Sequence, residues 1–318
     1  MDERVLAATP FCELVHLARD RAEPAPRLLL VAPLSGHRPV VLRDLALGLL
    51  PAHDLHLLCW RDAAEIPPEA GRFTLDENVG HILSALVRLG EGVHVLGVSQ
   101  SPLPCLAAAA LAAERGVAPL PASLILMGGL LDPALGPTPI ARLATALPRV
   151  ALERMLTTAR NGRRVYPATA QALALTLYLR RHLLRGGELR GKVLRDDGIE
   201  RRRFPFLSLF YALSDLPAEL FLDLIETVFH HRRLPNRTLL YDNQPVRPEA
   251  IGHTALMTVE GGRDDVSGPG QTHVAQSWCP DAPARLILTV PEAGHFGLFH
   301  GRPFRQTVLP AITAFVRP

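Results

Sequence analysis

Val93-His94-Val95-Leu96-Gly97-Val98-Ser99-Gln100-Ser101 is the stretch on which the reading of this chain turns. Val93 to Val98 is a short apolar run of strand length, and Gln100 to Arg115 is an Ala-rich segment suited to a helix packed closely on a sheet. Between them stands Ser99, with small residues two places before and two places after it, Gly97 and Ser101. A strand that turns sharply into a helix at a serine needs such flanks, because larger side chains collide inside the turn. The turn lifts the hydroxyl above the sheet edge. It also aims N–H groups of the helix start into the same space, where an oxyanion is held. Ordinary helix N-capping also places serines at such junctions, so the rest of the chain has to choose between the readings.

Outward from Ser99 the chain alternates strand and helix. Arg27 to Ala32 (RLLLVA) is a continuous apolar run ended by Pro33, and Leu55 to Trp60 is another. Leu75, Val79, Ile82, Leu83, Leu86 and Leu89 recur at helical spacing, with Asp76 and Glu77 favouring the start and Gly90 the stop. Ser123 to Met127 is a further strand, ended by Gly128-Gly129. This alternation predicts an α/β fold, a mostly parallel sheet with helices on both faces. Residues 132–250 break the rhythm: they are Pro-punctuated and Arg-rich, with helical periodicity at Ala168 to Leu184 and Pro217 to His231. It returns with a strand at Ala255 to Val259, a helix from about Gln271, a strand at Arg285 to Val290 and a helix after Pro303. The expected organisation is a core of residues 1–131 and 251–318 with a large, mainly helical cap inserted at 132–250.

Composition narrows the class. A chain of 318 residues with 48% hydrophobic and 20% charged residues can bury a sizeable core. Net charge is only +3, yet residues 160–203 carry twelve basic and four acidic side chains, +8, which leaves −5 for the remainder. The expectation is no nucleic-acid partner. The Arg-rich segment is either a solvated helical face or a surface for an anionic one. No apolar run approaches the ~20 residues of a membrane-spanning helix. The charged N-terminus lacks the layout of a secretory signal. Cys12, Cys59, Cys105 and Cys279 are scattered singly, which points to reduced thiols in a cytoplasm. No metal site and no bound cofactor are expected, since neither HExxH nor a Cys/His ligand cluster is present.

Two later segments decide the reading of Ser99. After Ala255 to Val259 comes Glu260-Gly261-Gly262-Arg263-Asp264-Asp265-Val266, and after the last strand comes Pro291-Glu292-Ala293-Gly294-His295-Phe296-Gly297. A serine, an acid and a histidine, each just past the end of a parallel strand, follow the chain order of α/β-hydrolases. Histidine can take and return a proton near neutrality, and the acid fixes its tautomer. Ser99 is thus the expected nucleophile and His295 the base. The acid is Asp264 or Asp265. Asp264 is preferred because Val266 behind it gives an acid-x-aliphatic form. The oxyanion donors expected are the N–H of Gln100 and that of Leu34, with Ser35 next in line. His37 either faces the pocket or bonds within its own loop.

The chain resembles the intracellular poly(3-hydroxybutyrate) depolymerases, a branch of the α/β-hydrolases near the polyhydroxyalkanoate synthases. The similar segments run in order: Pro10-Phe11-Cys12, Leu30 to His37, Leu50 to Asp54, Trp60 to Ala63, Gly71 to Phe73, Val93 to Leu111, Leu126 to Gly129, Gly162 to Pro167, Ala255 to Thr272 and Gly294 to Gly301. The resemblance implies cleavage of 3-hydroxyacyl esters in a polyhydroxyalkanoate polymer or oligomer, on cytoplasmic storage granules. The acyl group would pass to water or to the thiol of coenzyme A. The pattern also departs from the family. Ser99 stands where cysteine is common, Ser101 where glycine is usual, and the proline after the elbow is displaced to Pro102. The family's N-terminal extension is not matched, and the insertion is the least similar region, with the family's Tyr- and Asp-rich stretch standing here as Leu207 to Leu220. Two other readings follow from those departures: a soluble esterase of short 3-hydroxyacid oligomers, and a non-catalytic granule-binding protein on the same scaffold.

Overall fold

The computed structural model describes residues 2–19, 24–35 and 42–316. Eight strands form the central sheet: β1 (Asp2–Ala8), β2 (Cys12–Ala18), β3 (Arg27–Val31), β4 (Asp54–Trp60), β5 (His94–Val98), β6 (Ser123–Met127), β12 (Ala255–Gly261) and β13 (Arg285–Val290). Between β6 and β12 lie five short strands, β7 (Thr157–Thr158), β8 (Arg164–Tyr166), β9 (Leu216–Pro217), β10 (Leu240–Tyr241) and β11 (Gln244–Pro245), which pair among themselves outside the central sheet. The central order is β1-β2-β4-β3-β5-β6-β12-β13. The pairings of β2 with β1 and with β4 are antiparallel, and the rest are parallel.

The continuous apolar runs become the buried strands: every residue of β5 and β6 is buried. Strands covered on both faces have no solvent side to alternate with, which is why these runs do not alternate. Two strands of the central sheet stand outside the expected set, as do the five short strands of the inserted segment. β1 and β2 extend the sheet beyond Arg27, and β1 is exposed almost throughout. Its DERVLAA sequence offers no buried face to read.

Helices α1 (Arg43–Leu49), α2 (Leu75–Leu89) and α3 (Pro102–Arg115) belong to this α/β layer. Thr74 and Glu77 close a capping box on α2, and Gly90 ends it with a positive φ. Helix α3 begins at Pro102 rather than Gln100, with residues 99–101 in the turn before it. The helix expected from Gln271 shrinks to Ala275–Trp278. The buried Glu260 carboxylate accepts from the N–H groups of Gly270, Thr272 and His273, holding them in a turn.

The inserted segment carries α4 (Pro139–Ala146), α5 (Arg149–Glu153), α6 (Ala168–Arg185) and α7 (Glu188–Arg195), followed by shorter helical pieces. It is stapled to the sheet layer by polar contacts. Arg163 is buried and donates to the carbonyls of Ile66, Pro67 and Gly71 at 2.7–2.8 Å, with its guanidinium over the Phe11 ring. Glu219 and Asp223 accept from the Phe73 and Leu75 N–H groups at the head of α2. Lys192, the one lysine of the chain, is also buried and donates to the His300 carbonyl at 2.7 Å. Two of the twelve basic residues of 160–203 are therefore structural rather than surface charges.

Candidate active site

The backbone ladder continues past the strand ends and builds the rim that carries the site. Ser99 N–H donates to the Met127 carbonyl at 2.8 Å, Gly128 N–H to Val259 at 3.0 Å, and Gly262 N–H to Val290 at 2.9 Å. Four chain crossings are thus held level at the carboxyl edge of the sheet, where ligands of open α/β sheets bind.

Ser99 has φ 60°, a left-handed conformation rarely adopted by a residue with a Cβ. The helix behind it packs tightly: a Cβ on Gly97 would stand 2.9 Å from Cys105 Sγ and 3.2 Å from the Pro102 nitrogen. Gly97 is small because α3 leaves no room. Ser101 has a different reason. Its buried hydroxyl donates to the Ala32 carbonyl at 2.5 Å, and Trp60 Nε1 donates to the same oxygen at 2.8 Å. Two donors on one carbonyl fix the exit of β3 against the elbow.

Ser99 Oγ lies 2.9 Å from His295 Nε2, and His295 Nδ1 lies 2.8 Å from Asp264 Oδ2. Asp264 is buried and fully used: Oδ1 accepts from the Val266 and Ser267 N–H groups at 2.8 and 2.9 Å, and Oδ2 accepts from the Ser267 hydroxyl at 2.9 Å. With Oδ2 as acceptor, Nδ1 carries the proton in this pair, which leaves Nε2 free to accept from Ser99. Asp265 faces the other way, toward Tyr178 and His182 of α6. Burial pulls the His295 pKa down, but Asp264 first, then Glu188 and Asp265, lift it above the usual histidine value. The loops approach closely enough to demand glycine. A Cβ on Gly128 would stand 3.3 Å from His295 Cε1, and one on Gly261 would stand 2.5 Å from the Ala293 carbonyl.

On the oxyanion side, Gln100 Oε1 accepts from Ser35 N–H at 3.0 Å and lies 3.3 Å from its hydroxyl. Ser35 is therefore engaged with the elbow residue Gln100. The N–H groups of Leu34 and Gln100 donate to no other described residue. Backbone donors without a partner among the described residues are available to an oxyanion. His37 lies outside the described residues.

Three further features shape the site without a motif of their own in the sequence. Ser267 completes the seat of Asp264. Tyr178 and His182 reach Asp265 from the inserted segment. Glu188 of α7 is largely buried against the histidine loop: a Cβ on Gly294 would stand 2.1 Å from its Oε2 and one on Gly297 2.6 Å from its Oε1. Burial pushes the Glu188 pKa up to about 7. The glycines flanking His295 were the signal for that approach. Among the described residues, one cluster has metal-ligand types, His16, Asp54 and His56. It stands at the start of β4, the sheet edge opposite Ser99, with His16 Nε2 on Asp54 Oδ1 at 2.7 Å and the two rings stacked.

Residues 128–318, more than half of the chain, match the family model described as PHB de-polymerase C-terminus. No curated protein matches the chain. Among solved structures it is similar to a hydrolase from Pseudomonas aeruginosa at 16% identity and TM-score 0.57, covering 100% of this chain and 99% of that one. A thermophilic esterase from Thermogutta terrifontis aligns at 15% identity and TM-score 0.55, with 100% and 98% covered. The enol-lactonase from Burkholderia xenovorans aligns at 17% identity and TM-score 0.51, with 96% and 95% covered. These likenesses establish the α/β-hydrolase fold.

Proposed function

Because the chain belongs to the family of the PHB de-polymerase C-terminus, we propose that it is a serine hydrolase of polyhydroxyalkanoate esters. The observation that carries the reading is the unbroken hydrogen-bonded line from Ser99 Oγ through His295 to Asp264. Ser99 Oγ attacks the ester carbonyl carbon while His295 Nε2 takes its proton. The carbonyl oxygen becomes an oxyanion held by the N–H groups of Gln100 and Leu34. As the ester C–O bond breaks, His295 returns the proton to the leaving oxygen, freeing a hydroxyl chain end and leaving a 3-hydroxyacyl ester on Ser99. Water then attacks that ester, His295 again relaying the proton, and releases the acid. If coenzyme A thiol takes the place of water, the product is the thioester; analysis of products with and without coenzyme A separates the two acceptors.

Large exposed apolar side chains favour a polymer as the substrate. Leu143, Val150, Leu173, Leu177, Leu184 and Leu194 are each more than half exposed, and all lie in the inserted segment. This concentration supports an interaction surface in the segment, one that suits a solid polyester better than a dissolved oligomer. The narrower reading, an esterase of short oligomers only, draws on the close packing of the inserted segment against both triad loops. The test is Ser99→Ala assayed on amorphous polyhydroxybutyrate particles and on a soluble short-chain ester. Loss on the order of 10⁶-fold in kcat on both is expected. Retained turnover of either substrate overturns the serine mechanism, and wild-type activity confined to the soluble ester selects the oligomer reading.

A further inference from the structure

Two adjacent aspartates leave β12 and face in opposite directions. Asp264 turns into the sheet layer and holds His295. Asp265, one peptide later, gives both of its oxygens to α6: the Tyr178 hydroxyl donates to Oδ1, and His182 Nε2 lies 3.1 Å from Oδ2. Tyr178 and His182 are four residues apart, one helical turn on the same face, and their rings meet at 4.5 Å between centroids. The inward face of α6 carries the polar groups of Gln171, Tyr178 and His182 beside Leu175 and Leu179, while Leu173, Leu177 and Leu184 of the same helix are exposed.

The inserted segment grips the same turn at two further points. The Thr138 hydroxyl, at the head of α4, donates to the Val266 carbonyl at 3.0 Å. Gln271 Nε2 donates to the Gly136 carbonyl at 3.1 Å, and Gly136 lies so near that a Cβ on Gly268 would stand 1.8 Å from its oxygen. The acid turn is therefore seated by the inserted segment as much as by the sheet.

We propose that Asp265, held by Tyr178 and His182, is a positioning residue: through it the inserted segment sets the seat of Asp264 and so the aim of His295 at Ser99. The inference rests on the triad reading above. Asp264 and Asp265 share a peptide plane, so a turn released on one side lets the carboxylate on the other drift. Both Asp265 oxygens are engaged, so the turn is tied to α6 at two points.

The test uses the full chain with Tyr178→Phe, His182→Gln and the double variant. Tyr178→Phe removes a hydroxyl but no charge. Around His295 stand the carboxyl groups of Asp264, Glu188 and Asp265, and all three remain. Any change in the titration of His295 then reports geometry. On a soluble p-nitrophenyl ester, kcat is expected to fall roughly tenfold to a hundredfold in the double variant, with KM within about twofold. The acid limb of kcat/KM should move to lower pH, because a loosened Asp264 stabilises the imidazolium less. The far-downfield proton signal of His295 Nδ1, read without substrate, should weaken or broaden. Asp265→Asn, which still accepts from Tyr178, should retain more activity than Asp265→Ala.

Wild-type kcat per folded molecule, with an unmoved acid limb and an unchanged Nδ1 proton in the double variant, overturns the proposal. So does a loss of kcat fully explained by a smaller folded fraction. If Ser99→Ala leaves ester turnover intact while the Nδ1 proton still responds to Tyr178→Phe, the catalytic reading has failed and the positioning contact stands.

Discussion

Ser99 holds a backbone conformation that costs a residue with a side chain about 1–3 kcal/mol, at φ 60°. It is over-determined by its surroundings: Gly97 pressed on Cys105, Ser101 tied to Ala32, and its own N–H on Met127. Strain sustained in this way keeps the hydroxyl at His295 without further reorganisation. The histidine is tuned in the same neighbourhood. Burial favours the neutral ring, but the carboxylates of Asp264, Glu188 and Asp265 prevail and raise its pKa. A base must be neutral to act, so kcat/KM on a soluble ester should fall on the acid side with an apparent pKa above the ordinary ~6.5 of histidine. Asp264→Asn removes the main opposing charge. That variant should lose on the order of 10⁴-fold in kcat, and its acid limb should shift to lower pH. An unshifted limb would separate Asp264 from the titration of His295. Ser99 and His295 were legible because each has its own flanking pattern, small residues around one and glycines around the other. Asp264 and Asp265 are the same residue type in adjacent places. Only the direction of the turn distinguishes them, and that direction comes from Val266 and Ser267 on one side and α6 on the other.

At the scale of elements, α7 brings the carboxyl group of Glu188 against the histidine loop, with Lys192 Nζ 3.7 Å from it. Its pKa, about 7 against an ordinary 4.5, means that the folded chain holds a proton there that the unfolded chain has released. Stability from this group is therefore fully present below about pH 4.5 and declines as pH rises toward 7. The loss over that window is on the order of 2–3 kcal/mol. Glu188→Gln should flatten the fall in Tm between pH 5 and 8, read by thermal denaturation. A variant with the wild-type slope would show that Glu188 does not titrate in this range. The strands of the buried sheet were legible because each is a continuous apolar run. β1 was not, since an edge strand exposed almost throughout gives periodicity little to read, and in the largely buried β2, CELVHLA, Glu13 and His16 interrupt the apolar run that marks the other strands. β7, β8 and β9 are two or three residues long, too short for any pattern. The shortened helix at Ala275–Trp278 depends on Glu260, a buried acid whose capture of three N–H groups is visible only once the chain has folded.

At the scale of the whole molecule, charge and apolar exposure converge on one segment. The +8 of residues 160–203 counts Arg163 and Lys192, which are buried staples, and Glu200, which pairs with Arg43. What remains at the surface is a set of arginines, among them Arg180, Arg185, Arg190 and Arg201 to Arg203, interleaved with exposed Leu173, Leu177, Leu184 and Leu194. On the proposed polymer reading, such a surface would adhere to a solid polyester by apolar contact, and its arginines would add a salt-sensitive increment toward carboxylate chain ends. The two contributions are separable. Leu173→Ser, Leu177→Ser and Leu184→Ser together remove apolar area worth about 1.5–3 kcal/mol per side chain when fully buried, so adsorption to amorphous polyhydroxybutyrate particles should weaken by more than tenfold even at high salt. Arg201→Gln, Arg202→Gln and Arg203→Gln together should weaken adsorption at low salt and little above ~0.5 M, where screening has already removed the attraction. Neither triple variant touches Ser99, His295 or Asp264, so hydrolysis of a soluble ester should stay within about twofold of wild type. Adsorption measured by sedimentation with the particles checks both. Unchanged binding in the leucine variant would remove the polymer surface from this segment and leave the esterase chemistry of the rim as the whole of the function.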